Sequence, residues 1–150
     1  MNQKQFVVTP DEVETIMTDW TTAKIMGDPR VTRLQGMSAV VLFLEPGKGH
    51  SRHDHTDSEQ IIYVISGRGE HITELADGTS VTEKISAGSL ISIPKGTYHS
   101  TFNTGWEPMQ VLAVFTPPGP EVSLRALGDS GGVGTAQLKV LPPGEVPLRR

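Results

Sequence analysis

The sequence predicts an all-β fold, a β-sandwich or barrel, and three observations lead to this prediction. The 150 residues fit one domain that can bury a core of its own. The 16 Gly and 11 Pro exceed the average usage of ~7% and ~5%, which suits many short strands joined by turns. Runs of β-branched and aromatic residues recur every ~8–12 residues, with turn residues between them.

The N-terminal segment carries a helix-start signal. Thr9 is followed by Pro10 and then by Glu12, which is the pattern of a capping box with Pro at the first helical position. We expect a short helix from here to about Met17, and an irregular arm is the alternative.

The middle of the chain is predicted to form strands that end at glycine or proline. After a segment at 20–26, the predicted strands are 37–45, 60–66, 69–75, 80–85, 89–93 and 109–116. Asp77-Gly78 is the strongest hairpin signal among the turns. We therefore expect a barrel core at about 37–116 inside a single domain, 1–150.

The two ends of the chain are predicted to be arms around this core, at 1–20 and 117–150. In the C-terminal arm, 121–127 is expected to form one or two helical turns, and the glycine-rich stretch 128–134 is expected to be flexible. The residues from Leu141 onward have little that could pack. No second domain is predicted.

The strand at 60–66 is apolar on both faces, because Ile61 to Ile65 include no polar alternation. A half-exposed antiparallel strand should alternate apolar and polar residues. We therefore expect its outer face to be covered, either by an arm or by a second subunit, and a homodimer is the simpler expectation.

Charge and composition exclude several classes of partner. The net charge of −4 with scattered Lys and Arg gives no basic surface for nucleic acid or anionic lipid. No apolar stretch approaches the ~20 residues that span a bilayer, and no secretory signal is visible, so a cytoplasmic protein is expected. The chain has no Cys, so any metal must be held by nitrogen and oxygen ligands.

Three of the five histidines lie in two short segments that could converge. His53 and His55 are two residues apart, so an extended chain points both to one face. Gln60 begins the strand after the following turn. His99 opens the strand that follows the tight turn at 94–96. In an antiparallel barrel, such strand starts can meet at one interior point.

These two segments resemble the two motifs of the cupin superfamily. The second motif is matched in full by Gly88, Pro94, Gly96, His99 and Asn103. The first motif is matched by Gly47, His53, His55 and Gly67. It departs from the family pattern at one position, since Gln60 stands where most members have Glu. The resemblance covers about 37–116 and implies a jelly-roll β-barrel, a fold that hosts many functions.

The resemblance implies one divalent transition metal, Fe, Mn, Ni, Co or Zn, bound by His53, His55, Gln60 and His99. Counting back from Gly67 selects Gln60, and Glu59 is the alternative ligand if the strand carries a bulge. Three imidazoles and an amide would leave the ion its full double positive charge, which makes it a stronger Lewis acid for an anionic ligand.

Other polar residues near these segments are weaker candidates. His50, Glu59 and Tyr98 could serve as a catalytic acid or base. His50 is expected to be mainly exposed, and His71 is expected to lie on the surface. Arg52 could reach the mouth of the site.

The last predicted strand bears on the substrate. If Ala113 faces the metal, Met109, Val111 and Phe115 do too, and the wall of the site is apolar. The other register would place Gln110, Leu112 and Val114 inside. Enzymes similar to the pectin-degradation uronate cyclase have an acid and an Arg where this chain has Ala113 and Gly119. We therefore expect a small, mainly apolar, oxygen-chelating substrate rather than a sugar acid.

Two classes of function fit the resemblance. The first is a metal-dependent enzyme, either a dioxygenase or a redox-neutral isomerase or lyase. The second is a non-catalytic cupin that binds or senses a small molecule. The sequence predicts the enzyme first and, within that class, places the dioxygenase reaction ahead of the redox-neutral ones.

Overall fold

Two antiparallel sheets make up the computed structural model, which describes residues 6–130 and 139–145. The strands, in chain order, are β1 (Thr15–Met17), β2 (Thr22–Gly27), β3 (Ser38–Leu44), β4 (Gly49–His53), β5 (Glu59–Ser66), β6 (Arg68–Glu74), β7 (Ser80–Ser86), β8 (Leu90–Ile93), β9 (His99–Asn103), β10 (Met109–Thr116) and β11 (Lys139–Leu141). The helical elements are a 3-10 turn, Pro10–Glu12, and α1, Pro120–Ser130.

The larger sheet has the strand order β11-β1-β2-β3-β10-β5-β8, and the smaller has the order β4-β9-β6-β7. No ladder joins the two sheets within the described residues, so the barrel is not closed by hydrogen bonds. The arrangement confirms the predicted all-β jelly-roll fold. None of the helices that the structure describes is long and apolar enough to cross a membrane.

The core lies between the two sheets and follows the alternation of the strands. In β10 every second residue is buried, namely Met109, Val111, Ala113 and Phe115. This confirms the first of the two predicted registers for the strand. In β5 the inward residues Gln60, Ile62 and Val64 are likewise buried. The inner wall beside these strands is therefore mostly apolar.

The outer face of β5 remains open. Ile61, Tyr63 and Ile65 are 42%, 43% and 43% exposed, and Leu90 beside them on β8 is 62% exposed. Over the residues that the structure describes, neither arm buries this face.

The predicted N-terminal helix is replaced by a short turn and a strand. The Glu12 side chain accepts a hydrogen bond from the Thr9 backbone N–H at 2.7 Å, as the capping pattern suggests. The helical turn nevertheless ends at Glu12. Three of the next four residues, Val13, Thr15 and Ile16, are β-branched, and Ile16 pairs with Ala23 of β2 and is 1% exposed. Sheet pairing and burial therefore override the local helix signal.

The C-terminal arm is more ordered than the sequence predicts. The helix α1 runs for 11 residues, beyond the one or two turns expected, and includes 128–130 of the stretch expected to be flexible. The remainder of that stretch, 131–134, lies outside the described residues, as does 146–150. Leu141 pairs with Thr15 and is only 4% exposed, so the expectation that this end packs little is wrong for Leu141, whereas the exposed residues 142–145 agree with it.

Two glycines with left-handed backbone allow a matched test of the fold. Gly67, between β5 and β6, has φ +86° and a Cβ there would lie 2.8 Å from the Met109 Cα. Gly88 has φ +91° and open space around the same position. Alanine at either site costs ~1–2 kcal/mol for the left-handed conformation. We expect Gly67→Ala to lower the free energy of unfolding by a further ~1–3 kcal/mol, because β10 must shift.

Urea denaturation of the two variants measures this difference. Equal losses of stability in Gly67→Ala and Gly88→Ala would contradict the close approach of Gly67 to β10.

Candidate metal centre

Three histidines meet at the end of the space between the sheets. His53 ends β4 and lies directly across from His99, the first residue of β9. His55 follows two residues after His53. One ring nitrogen from each of the three lies within 4.8 Å of the others, a spacing at which they could hold a metal ion.

Backbone carbonyls orient two of the rings. His53 Nδ1 lies 2.7 Å from the Ser51 carbonyl, and His99 Nδ1 lies 2.8 Å from the Thr97 carbonyl. A carbonyl can only accept, so each Nδ1 carries the hydrogen and donates it. The Nε2 atoms are left with free lone pairs, which is the tautomer that a metal-binding histidine needs.

Several buried polar atoms at this point have no partner. Within the described part of the chain, His55 Nε2, His99 Nε2 and Gln60 Oε1 are buried and form no hydrogen bond of good geometry, although the Gln60 side chain lies close enough to His55 to influence its pKa. Most buried polar atoms in proteins are paired, so a group of orphaned acceptors requires an explanation. A divalent cation bound between them would satisfy all of these acceptors, so the residues fit a metal ion.

The imidazoles are neutral at neutral pH. Burial lowers the pKa of His53 to about 3, with His50 and His99 adding to the effect. Burial and the neighbouring His99 lower the pKa of His55 to about 4, against smaller opposing effects of Asp54 and Gln60. Burial also lowers the pKa of His99. Because only the neutral ring can bind a cation, these pKa values favour metal binding.

Gln60 and Glu59 point in opposite directions. Gln60 is 6% exposed and faces the interior, where it lies beside Phe115 of β10 and Ile93 of β8. Glu59 is exposed on the opposite face of β5. Glu59 and Gln60 pair with consecutive residues of β10, without a bulge. The alternative ligand Glu59 therefore faces away from the three histidines.

A cavity of about 260 Å³ adjoins the histidines. Its apolar wall comes from β3, β10, α1 and the turn before β2, with Val40, Leu42, Phe115, Leu124 and Trp20. Its polar lining includes the metal-site residues His53, His55 and Gln60 together with His50, Asp54, Ser123 and Glu121. The Phe115 ring meets the His55 ring edge-on at 5.1 Å, so the apolar wall begins directly beside the candidate ligands.

His50 lies inside this site, and the expectation that it is mainly exposed is wrong. Its ring stacks between Trp20, at 4.1 Å, and His53, at 3.5 Å. His50 pairs with Thr101, and His53 pairs with His99. Between these two pairs β4 advances by three residues and β9 by only two, so β4 contains a bulge. This bulge turns both histidines to the same face. Burial lowers the pKa of His50 to about 4.

The other weak candidates lie outside the cavity. Tyr98 is 37% exposed, and the Arg52 guanidinium lies 3.7 Å above its ring. Arg52 also pairs with Glu74 at 2.8 Å. These contacts account for Tyr98 and Arg52 without a role at the histidines, and Glu59 faces away from them as well.

His71 is buried, which corrects the expectation that it lies on the surface. It is 3% exposed, and its Nδ1 lies 2.9 Å from Thr101 Oγ1. Its ring lies 5.8 Å from that of His99 and nearly parallel to it. The strand β6 is an inner strand of the smaller sheet, and His71 shares its inward face with Gly69. The loose alternation of this strand in the sequence gives no sign of which face is inward.

Glu121 is a residue of the cavity that the sequence reasoning missed. It is 3% exposed, and its Oε1 accepts hydrogen bonds from Ser38 Oγ at 2.5 Å and from the Gly119 backbone N–H at 2.7 Å. The available signal was Pro120-Glu121, a proline and an acid in the first turn of a helix. That signal indicates a helix start and does not indicate that the helix closes over the site.

Comparison with known proteins identifies the domain. The family model for the cupin domain matches residues 40–115, half of the chain. A glucose-6-phosphate isomerase of Thermococcus onnurineus is 32% identical over 68 residues, 45% of this chain and 35% of that protein. Germin-like protein 1-1 of Oryza sativa is 30% identical over 95 residues, 63% of this chain and 44% of that protein. The chain thus spans less than half the length of these relatives.

Solved structures share the fold at lower identity. KdgF from a Halomonas species superposes with a TM-score of 0.64 at 21% identity, over 77% of this chain and 97% of that one. The oxalate decarboxylase of Lactobacillus farciminis superposes with a TM-score of 0.72 at 23% identity, over 79% of this chain and 35% of that one. The two-sheet fold, both sequence motifs and the match over residues 40–115 show that the chain belongs to the cupin family.

Proposed function

We propose that this cupin binds one divalent transition metal through His53, His55, Gln60 and His99, and that it is an enzyme acting on a small oxygen-chelating molecule. The observation that carries the proposal is the convergence of one ring nitrogen each from His53, His55 and His99 within 4.8 Å, with the buried, unpartnered Gln60 Oε1 lining the same cavity as His53 and His55. These acceptors adjoin a cavity of about 260 Å³, which is large enough for a small organic ligand.

The four proposed ligands are neutral, so they would leave a bound ion its full double positive charge. Once bound, such an ion supplies Lewis acidity, polarising substrate oxygens and stabilising negative charge that develops on them. The nitrogen and oxygen donors suit Fe, Mn, Co, Ni or Zn. The ligand class supported by this electrostatic environment is an anion or an enolisable oxygen compound.

The remaining cavity residues would hold the substrate and exclude water. Val40, Leu42 and Phe115 form an apolar wall, which strengthens electrostatic interactions by keeping the local dielectric low. The Trp20 ring stacks on His50, and the His50 ring stacks on His53 and supports its orientation. A bound substrate would therefore lie between a rigid polar end and an apolar wall.

We propose a redox-neutral isomerase or lyase reaction first and a dioxygenase reaction second. The isomerase name of the Thermococcus relative supports the redox-neutral reaction. A non-catalytic binding protein is the second class of function. It is supported by the rhicadhesin receptor of Pisum sativum, which is 28% identical over 80 residues and is named for binding.

Assays of the metal-loaded protein distinguish the redox-neutral enzyme, the dioxygenase and the binding protein. Oxygen uptake with β-diketones and catechols would indicate the dioxygenase. Exchange of carbon-bound hydrogen for deuterium in α-hydroxyketones, measured without oxygen by NMR, would indicate the redox-neutral enzyme. Tight ligand binding with neither reaction would indicate the binding protein.

The metal site is tested by His99→Ala against a matched change, His71→Ala. Both remove a buried imidazole from neighbouring inward positions, but only His99 belongs to the proposed ligand set. We expect wild type and His71→Ala to hold about one metal per chain. His99→Ala should lower the metal affinity by more than ~10–100-fold, which is the loss expected when a residue that only supports a metal ligand is replaced.

Elemental analysis and zinc titration measure these affinities, with circular dichroism to show that both variants are folded. Equal metal content in wild type and His99→Ala would contradict the proposed ligand set, and so would an equal loss in both variants.

We further propose that a second copy of the chain covers the open face of the larger sheet. Half-buried Leu112 lies beside exposed Tyr63, which lies beside exposed Leu90, so apolar residues form a continuous row across β10, β5 and β8. Contiguous apolar patches of this kind mark interaction surfaces. A two-fold dimer would place the same patch against itself.

Light scattering coupled to gel filtration checks the dimer. We expect wild type to be a dimer and the double variant Ile61→Lys, Tyr63→Lys to be a monomer, since buried ammonium groups would oppose the contact. Val81→Lys, at a 38% exposed position on the other sheet, should remain dimeric. A monomeric wild type would overturn this proposal without affecting the metal site.

A further inference from the structure

Glu121 contributes a carboxylate to the lining of the cavity, and the described hydrogen bonds go to only one of its oxygens. The side chain is 3% exposed and lines the same cavity as His55 and Gln60. Removing a carboxylate from water is costly unless it is paired or fully hydrogen-bonded. The hydrogen-bond partners of the Glu121 carboxylate therefore indicate whether its role is purely structural or includes ligand binding.

The hydrogen bonds to Glu121 reach only one of its two oxygens. Ser38 Oγ and the Gly119 backbone N–H both donate to Oε1. Among the side chains that the structure describes, those of 6–125 and 141–145, no donor reaches Oε2 and no cation forms an ion pair with this carboxylate. Arg125, one turn further along α1, is paired with Glu14. Since each carboxylate oxygen accepts about two hydrogen bonds, Oε2 retains its full accepting capacity.

The sheet register places this carboxylate at the same level as the candidate metal ligands. Phe115 of β10 pairs with Ser38 of β3 on one side and with Gln60 of β5 on the other. Neighbouring strands lie ~4.8 Å apart, so the backbones of Ser38 and Gln60 are ~10 Å apart with the Phe115 ring between them. Across the cavity, the carboxylate therefore lies at one end, the apolar wall in the middle and the proposed metal ligands at the other end.

We propose that Glu121 Oε2 accepts a hydrogen bond from the ligand, and so selects ligands with a hydroxyl or ammonium group at the end remote from the metal. The substrate class is then a short molecule with an oxygen-chelating end, an apolar middle and a hydrogen-bond-donating end. This inference rests on the proposed metal site. It revises the mainly apolar substrate expected from β10 alone, because α1 adds a polar group that the strand lacks.

A purely structural role for Glu121 makes a different prediction. If the carboxylate only fastens α1 to Ser38, its replacement by the isosteric amide changes stability and affects all ligands alike. If Oε2 binds the ligand, the amide specifically removes the advantage of donor-bearing ligands, because the hydrogen bond to a charged acceptor is lost.

The test uses zinc-loaded protein and matched probes of four to six carbons. Each unsubstituted carboxylate, butanoate to hexanoate, is compared by calorimetry with its terminal hydroxyl and terminal amino derivatives. In wild type we expect at least one derivative to bind ~10-fold or more tightly than its unsubstituted partner. In Glu121→Gln this preference should fall to less than ~3-fold while zinc content and binding of the unsubstituted acid are unchanged.

Two further variants complete the test. Glu83→Gln, the same change at an exposed position on β7, should keep the preference. Ser38→Ala keeps the carboxylate but removes the hydrogen bond from Ser38 that positions it, so it should reduce the preference. This variant provides the test if Glu121→Gln does not fold.

The outcomes separate this inference from the proposed function. Zinc bound in wild type with no preference at any length, or a preference that survives in Glu121→Gln, would overturn the role of Glu121 alone. Failure of wild type to bind zinc, or acid binding that is equal with and without zinc, would overturn the metal site and this inference with it.

Discussion

Several buried acceptor atoms meet at one end of this protein without partners in the chain, and the surrounding structure holds them there. His53 and His99 are fixed across the β4–β9 ladder, and the Ser51 and Thr97 carbonyls hold both rings in the same tautomer. Gln60 faces inward because β5 alternates strictly. An arrangement of this kind, with neutral rings and orphaned lone pairs, carries an energetic cost that a bound cation would offset.

The sequence motifs predict this part of the molecule well, because they record geometric constraints. Gly67 is required by its positive φ and by the approach of Met109, and Gly96 turns the chain before His99. The alternation of β10 left two registers open, and burial of Met109 and Ala113 decides between them. The general fold and the inward-facing residues around the motifs follow from such local rules.

Residues outside the motifs were harder to predict, since their positions depend on contacts between distant segments. The apparent helix start at Thr9 gives way to a strand because Ile16 pairs with Ala23. The bulge that turns His50 inward depends on its pairing with β9. Glu121 enters the cavity only because the start of α1 lies beside β3, where Ser38 donates a hydrogen bond to its carboxylate. No local pattern in the sequence contains these long-range pairings.

Anomalous diffraction from a crystal of the zinc-loaded protein tests the central claim most directly. The ligand set described above predicts one anomalous peak per chain, ~2.0–2.2 Å from the Nε2 atoms of His53, His55 and His99 and from Gln60 Oε1. A peak bound by Glu59 in place of Gln60 would contradict the assignment of the fourth ligand. A peak elsewhere, or none in a protein exposed to excess zinc, would contradict the metal site itself.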